Sequence, residues 1–376
     1  MFESSPISLY IHIPWCLKKC GYCDFYSYVS QETIPEKKYI ENLLKDFEKD
    51  LKLIKNKKIN TIFIGGGTPS LLKQKSVNNL INGIKERYLV CKNAEITIEA
   101  NPKTIECQRF IHYKKSGINR FSLGVQTFNT NLLKKIERTY TSSECISCIK
   151  KLKTINNNIN LDLMYGLPDQ DLESSLTDLK YAIKYNPSHI SWYQLTIEPN
   201  TIFYSKKLNI ANDDIIFQMF SKGDQLLKKS GYQKYEISSY SKLNYQCKHN
   251  LNYWSFGDYI GIGCGAHGKI SQKNGKILRT YKNKNLKDYL HGNYLRSMNI
   301  ISKQDLAFEY FMNTFRLYKP VSKRHFQEKT NLNENYIEKK IQMAIKRGFL
   351  IDELNYWNTT KKGKFFLNSL LKIFLR

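Results

Sequence analysis

Leu9-Tyr10-Ile11-His12-Ile13-Pro14-Trp15-Cys16-Leu17-Lys18-Lys19-Cys20-Gly21-Tyr22-Cys23 carries a short apolar strand straight into three cysteines. The spacing is C-x-x-x-C-x-x-C. Thiolates are soft ligands that suit iron–sulfur clusters and zinc. Three of them on one loop can hold three corners of a four-iron cluster and leave the fourth iron open to a small molecule. A structural zinc site is the competing use, and it needs a fourth ligand to close the tetrahedron. His12 is nearby, but a strand fixes its facing. The spacing also differs from the paired C-x-x-C units of zinc ribbons.

Working outward from this loop, apolar strand candidates recur at Leu9–Ile13, Thr61–Ile64, Glu95–Glu99, Arg120–Val125, Asn160–Met164 and His189–Leu195. Stretches of helical period separate them, such as Tyr39, Leu43, Leu44, Phe47 and Leu51, or the run from Lys73 to Tyr88. Such β-α alternation predicts parallel strands with right-handed crossovers. Six units fall short of an eight-fold barrel, so the expectation is an α/β fold with a partial (β/α)6 barrel. Beyond Gly231 the pattern changes. The expected division is a barrel over 1–230, a connecting segment over 231–300, and a mostly helical, winged-helix-like extension over 301–376.

Polar residues gather where the strands end. Gly65-Gly66-Gly67-Thr68-Pro69 follows the second strand, Glu99 ends the third and Gln126 follows the fourth. In parallel α/β folds the carboxyl edge of the sheet carries the ligand site. The cysteines follow the first strand on the same edge, so they should converge with these groups. The glycine triplet is neither a P-loop nor G-x-G-x-x-G, but it exposes N–H groups to a ligand. Arg138 can fork a carboxylate, while Glu99 and Asp162 can accept hydroxyl or ammonium protons. The set suits a zwitterionic, ribose-bearing molecule.

Composition excludes several classes. The chain has 376 residues, 41% of them hydrophobic, which is globular. No apolar run approaches the roughly 20 residues that span a bilayer. The start, MFESSPISLYIHIP, lacks a basic segment before an apolar one, which predicts a cytoplasmic protein with reduced thiols. The net charge of +26 comes from 49 Lys and 10 Arg scattered along the chain, as in KNKKIN and YKNKNLK. That reads as a solvated basic surface, able to rest against anionic lipid at most, rather than a nucleic-acid stripe.

SLYIHIPWCLKKCGYCDF, IFIGGGTPS, EANP, LGVQTF and DLMYGLP together resemble the radical S-adenosylmethionine superfamily. More narrowly they resemble the oxygen-independent coproporphyrinogen III oxidase group. The resemblance implies a [4Fe-4S] cluster on Cys16, Cys20 and Cys23, with S-adenosylmethionine chelating the open iron. It implies a nucleotide site at Tyr10, Gly66, Gly67, Thr68, Glu99, Gln126, Arg138 and Asp162; Tyr10 comes from the resemblance alone. Oxidases of this group carry a further cysteine two residues past the third, where this chain has Phe25. His249-Asn250-Leu251-Asn252-Tyr253-Trp254 instead resembles the H-N-x-x-Y-W pattern of the HemW-type heme chaperones. That branch implies heme held near His249 and Asn250 and passed to an acceptor hemoprotein, with a membrane respiratory subunit as one candidate and homodimers as another expected association. The alternative function is a radical enzyme that acts on a porphyrinogen.

The other cysteines and glycines say less. Cys145 and Cys148 form a C-x-x-C inside a helical stretch and read as small packing residues. Cys247 and Cys264 are near enough to the motif to be alternative heme ligands. Gly261, Gly263, Gly265 and Gly268 read as a loop passing close to a cofactor.

Overall fold

The computed structural model describes residues 6–30, 33–102 and 107–375. Six parallel strands follow in chain order: β1 (Ile7–Ile13), β2 (Ile59–Gly66), β3 (Val90–Ala100), β4 (Arg120–Gln126), β5 (Ile159–Tyr165) and β6 (His189–Gln194). The intervening helices are α1 (Glu36–Asp50), α2 (Gln74–Arg87), α3 (Cys107–Lys115), α4 (Thr130–Lys135), α5 (Ser142–Ile155) and α6 (Leu172–Tyr185). All six expected strands are present, each within a few residues of its reading. Strands covered on both faces need near-continuous apolar sequence, and β1, Ile-Ser-Leu-Tyr-Ile-His-Ile, is buried along almost its whole length. α1 turns Tyr39, Ile40, Leu43 and Phe47 onto the sheet, at the i, i+4 spacing of one helical face. A capping box fixes the start of α5: Thr141 accepts from the Glu144 N–H, and Glu144 accepts from the Thr141 N–H.

Residues after the sixth strand extend the same sheet at both edges. The helix α7 (Asp213–Lys229) leads to β7 (Gln233–Glu236) and β8 (Ser239–Ser241), which pair antiparallel beyond β6. The short helix α8 (Lys248–Trp254) then crosses to the other edge. There β9 (Tyr259–Ile262) lies parallel to β1, followed by the antiparallel strands β10 (His267–Ser271) and β11 (Ile277–Lys282), the helix α9 (Leu286–Leu290), and β12 (Leu295–Ile300). Among the described residues the sheet has twelve strands, in the order β12-β11-β10-β9-β1-β2-β3-β4-β5-β6-β8-β7.

The glycine run therefore forms part of a strand and hairpin rather than a loop at a cofactor. The reason is steric. A Cβ at Gly261 would stand 2.0 Å from the His267 carbonyl oxygen, and one at Gly263 would stand 2.5 Å from the His12 carbonyl oxygen. Glycine lets these backbones close on each other.

The extension has its own core. α10 (Lys303–Thr314), α11 (Lys323–Thr330) and α12 (Glu338–Lys346) pack against a three-stranded sheet of β13 (Val321–Ser322), β15 (Tyr356–Thr359) and β14 (Leu350–Asp352). The helices α13 (Lys361–Phe365) and α14 (Leu367–Lys372) follow. Phe311, Phe315, Phe326, Trp357 and Phe374 fill the centre, with Phe311 stacked on Phe326 at 5.4 Å. Three helices and a hairpin on a small antiparallel sheet are the winged-helix-like arrangement read from the sequence.

Candidate functional site: a thiol-lined cavity at the strand ends

The loop after β1 is pinned before it reaches the second cysteine. Trp15–Cys16 pairs with Tyr28–Val29, and the Ser30 N–H donates to the Cys16 carbonyl at 2.9 Å. The Thr68 N–H donates to the Trp15 carbonyl at 2.7 Å, which ties the glycine loop to the cysteine loop. Cys16, Cys20 and Cys23 are free thiols and line one cavity of about 1610 Å³. The Thr68 hydroxyl donates to Cys16 Sγ at 3.5 Å. Burial raises the pKa of the Cys16 thiol and pushes that of Cys23 up to about 11, so a bound cation is what would make them thiolates. Among the described residues no three His, Cys, Asp or Glu side chains converge on a point that one metal ion could fill. A lone zinc needs that convergence. Three thiols lining one cavity can each bind a different iron of a cluster, whereas a structural zinc would need a fourth ligand beside them.

The strand ends furnish the rest of the wall. Gly66 has φ +110°, and a Cβ there would fall 2.6 Å from the His12 ring, so the position needs glycine. Its N–H donates to Glu99 Oε2 at 3.1 Å. In the parallel register Glu99 sits opposite Ser122, and Gly124 opposite Asp162. Burial first, and the Asp162 carboxylate second, raise Glu99 to about 8. Asp162 accepts from the Ser122 hydroxyl at 2.9 Å and the Asn160 amide at 2.8 Å. A register shift between Gly124 and Gln126 bends the end of β4, where Gln126 takes φ +65°. Bulges re-aim side chains beside sites in this way. Gln126 Oε1 accepts from the Tyr193 hydroxyl at 3.1 Å.

Arg138 donates to the Tyr22 hydroxyl at 2.6 Å and stands between the Tyr22 and Tyr140 rings, 5.7 and 5.8 Å from their centroids. Among the described residues its buried Nε has no partner. An orphaned guanidinium edge in a cavity wall is an anion-binding group in waiting. Tyr10 is half-buried and does not line the cavity. Its hydroxyl is 3.0 Å from His12 Nδ1, and its ring stacks on Phe63.

The H-N-x-x-Y-W helix has two faces. His249 and Tyr253, four residues apart, turn into the barrel; Asn250 and Trp254, also four apart, line the cavity. His249 is buried, with Nδ1 2.8 Å from Thr61 Oγ1 and Nε2 3.0 Å from the Tyr253 hydroxyl. Burial, helped by the Arg120 charge, lowers its pKa to about 3. Both ring nitrogens are engaged inside the protein, so the structure brings Asn250 to the cavity and leaves His249 behind it. Cys247 donates to Glu95 at 3.5 Å and Cys264 to the Lys284 carbonyl at 3.0 Å, and neither lines the cavity. Cys145 and Cys148 are buried on α5, as packing residues are.

Three contributors were missed in the sequence. Glu95 accepts from the N–H groups of Lys248 and His249, each at 3.0 Å, and so caps α8. Its distance of four from Glu99 put both on one strand face, and that period was the available signal. Tyr22, between two of the cysteines, holds Arg138. Arg316 stacks on Trp254 at 4.1 Å from the extension.

Thiols on a loop after the first strand, polar groups on the next strand ends and a partial barrel define a radical S-adenosylmethionine fold. The family model for the radical SAM superfamily matches residues 10–179, and that for the HemN C-terminal domain matches 301–366. Coproporphyrinogen III oxidase (HemN) from Escherichia coli, a solved structure, has the same fold. Its TM-score is 0.84 at 22% identity, covering 98% of this chain and 90% of that one. The proteins named heme chaperone HemW from Buchnera aphidicola subsp. Acyrthosiphon pisum and Escherichia coli K12 are 69% and 47% identical, with all of each chain covered. The chain belongs to the HemW family.

Proposed function

We propose that this protein binds heme and delivers it to an acceptor hemoprotein, such as a membrane respiratory subunit, from the cytoplasm. The observation that carries the reading is the single cavity shared by the three thiols, the strand-end polar groups and the Asn250–Trp254 face of α8. The names of the relatives support it. Cys16, Cys20 and Cys23 would hold a [4Fe-4S] cluster. That cluster, when bound, supplies an open iron position and an electron. Glu99 and Asp162 would accept protons from the hydroxyl and ammonium groups of S-adenosylmethionine. Gln126 and the glycine-loop N–H groups would orient it, and Arg138 would take its carboxylate. Nucleotide occupancy would then regulate heme release or self-association.

Heme would lie against Asn250 and Trp254. His249 could reach a heme iron only by giving up its bond to Tyr253. Phe25, 63% exposed on the cavity wall where the oxidases have cysteine, weighs against porphyrinogen oxidation. The test is transfer. Heme-loaded protein mixed with an apo-hemoprotein of distinct spectrum should give up its heme faster than heme-loaded serum albumin does. Transfer no faster than that of heme from serum albumin would sink the proposal.

A further inference from the structure

The cavity does not end at the barrel. Its far wall comes from the extension, where Phe308 and Met312 share a face of α10 and Arg316 follows the end of that helix. Trp254 stands beside them, one ring face covered by the Arg316 guanidinium. Arg316 is only partly satisfied: Nη2 donates to Glu236 at 3.3 Å, and among the described residues its buried Nε has no partner. Lys364 joins it from α13. Its amine donates to the carbonyls of Phe315, at 2.8 Å, and Leu317, the two residues that flank Arg316. An ammonium has three donors, so among the described residues one is left without an oxygen acceptor, with the Tyr318 ring 5.2 Å away.

A flat apolar wall beside two cations with spare donors is the complement of a planar ring that carries carboxylates on one edge. We propose that Arg316 and Lys364 anchor the propionate groups of the heme, with Trp254, Phe308 and Met312 packing against the macrocycle. This rests on the heme-binding reading and adds to it where the ring is held and by which groups. Arg316 would fork one carboxylate through its unused edge, which would satisfy its orphaned Nε. Lys364 would give its third proton to the other. Burial holds Lys364 near a pKa of about 7, so a carboxylate beside it would restore its full charge. The cavity wall carries both signs, with Asp213, Asp214 and Glu236 among its acidic groups and Lys372 among its basic ones, so Arg316 and Lys364 are singled out by their unused donors and not by net charge.

The test compares hemin with hemin dimethyl ester, whose propionates are blocked, by absorbance titration of the full chain. The wild type should bind hemin at least tenfold more tightly than the ester. Arg316→Gln should lose most of that preference, weakening hemin by a much larger factor than the ester. Lys364→Gln should lose part of it, and it keeps the test available if Arg316→Gln fails to fold. Equal wild-type affinity for the two compounds, or variants that weaken both equally, would overturn the anchor while leaving heme binding intact. Binding of neither compound would overturn the heme reading itself.

Discussion

Glu99 is raised from its ordinary 4.5 to about 8 by burial and by Asp162. Near pH 7 only about one such carboxyl in ten is ionised. A ligand that needs the carboxylate must first remove the proton, which costs about 1.4 kcal/mol at pH 7. Binding of S-adenosylmethionine should therefore release about 0.9 proton at pH 7, and affinity should rise about tenfold between pH 6 and pH 7. The comparison belongs below about pH 7.5, because the ligand's own amino group titrates at about 7.7–8. The assay is calorimetry in buffers of different ionisation enthalpy. Glu99→Gln should abolish both the proton release and the pH slope. The sign for stability is fixed by the same shift. The folded state keeps a proton that the unfolded chain releases from about pH 4.5, so the ligand-free protein loses stability as pH rises through that window to about 8. Glu99→Gln should then melt higher than wild type at pH 8 and lose that advantage at pH 4. A wild type that releases no proton, or a variant with the same slope, would refute the reasoning.

Three further outcomes follow from the site. Cys20→Ala should fail to retain iron and sulfide after anaerobic reconstitution, and an unchanged content would remove the cysteine loop as the cluster site. Gly66→Ala forces a Cβ into the His12 ring at a backbone angle that disfavours it. It should weaken S-adenosylmethionine at least tenfold, which equilibrium dialysis would detect. His249→Ala deletes two hydrogen bonds, one buried and one part-buried, and a ring packed 5.0 Å from Phe63. It should cost about 2–4 kcal/mol, read as a lower urea midpoint, and an unchanged midpoint would mean the imidazole is not held as described.

The barrel was legible because its strands are apolar along their own length. Ile7–Ile13 and Ile159–Tyr165 need no knowledge of their neighbours to be read. The convergence of Cys16, Glu99, Gln126, Arg138 and Asp162 was legible too, since parallel strands put their carboxyl ends on one edge. Tyr259–Ile262 was not, because its glycines hide the strand pattern and its partner, β1, lies some 250 residues away. The facing of His249 was equally hidden. A seven-residue helix has no periodicity to read, and what turns His249 inward is Thr61 on β2 and the cap from Glu95 on β3. The far wall of the cavity could not be anticipated either, since Arg316 meets Trp254 only through the docking of the extension.

The central claim is that the cavity holds a tetrapyrrole as cargo and does not oxidise one. The most direct measurement gives reconstituted, dithionite-reduced protein both hemin and coproporphyrinogen III with S-adenosylmethionine under strict anaerobiosis. Absorbance follows the bound heme, and chromatography follows the porphyrins. The account predicts heme retained at up to one per chain, with coproporphyrinogen III recovered unchanged. Repeated conversion to protoporphyrinogen IX, with no heme retained, would contradict it.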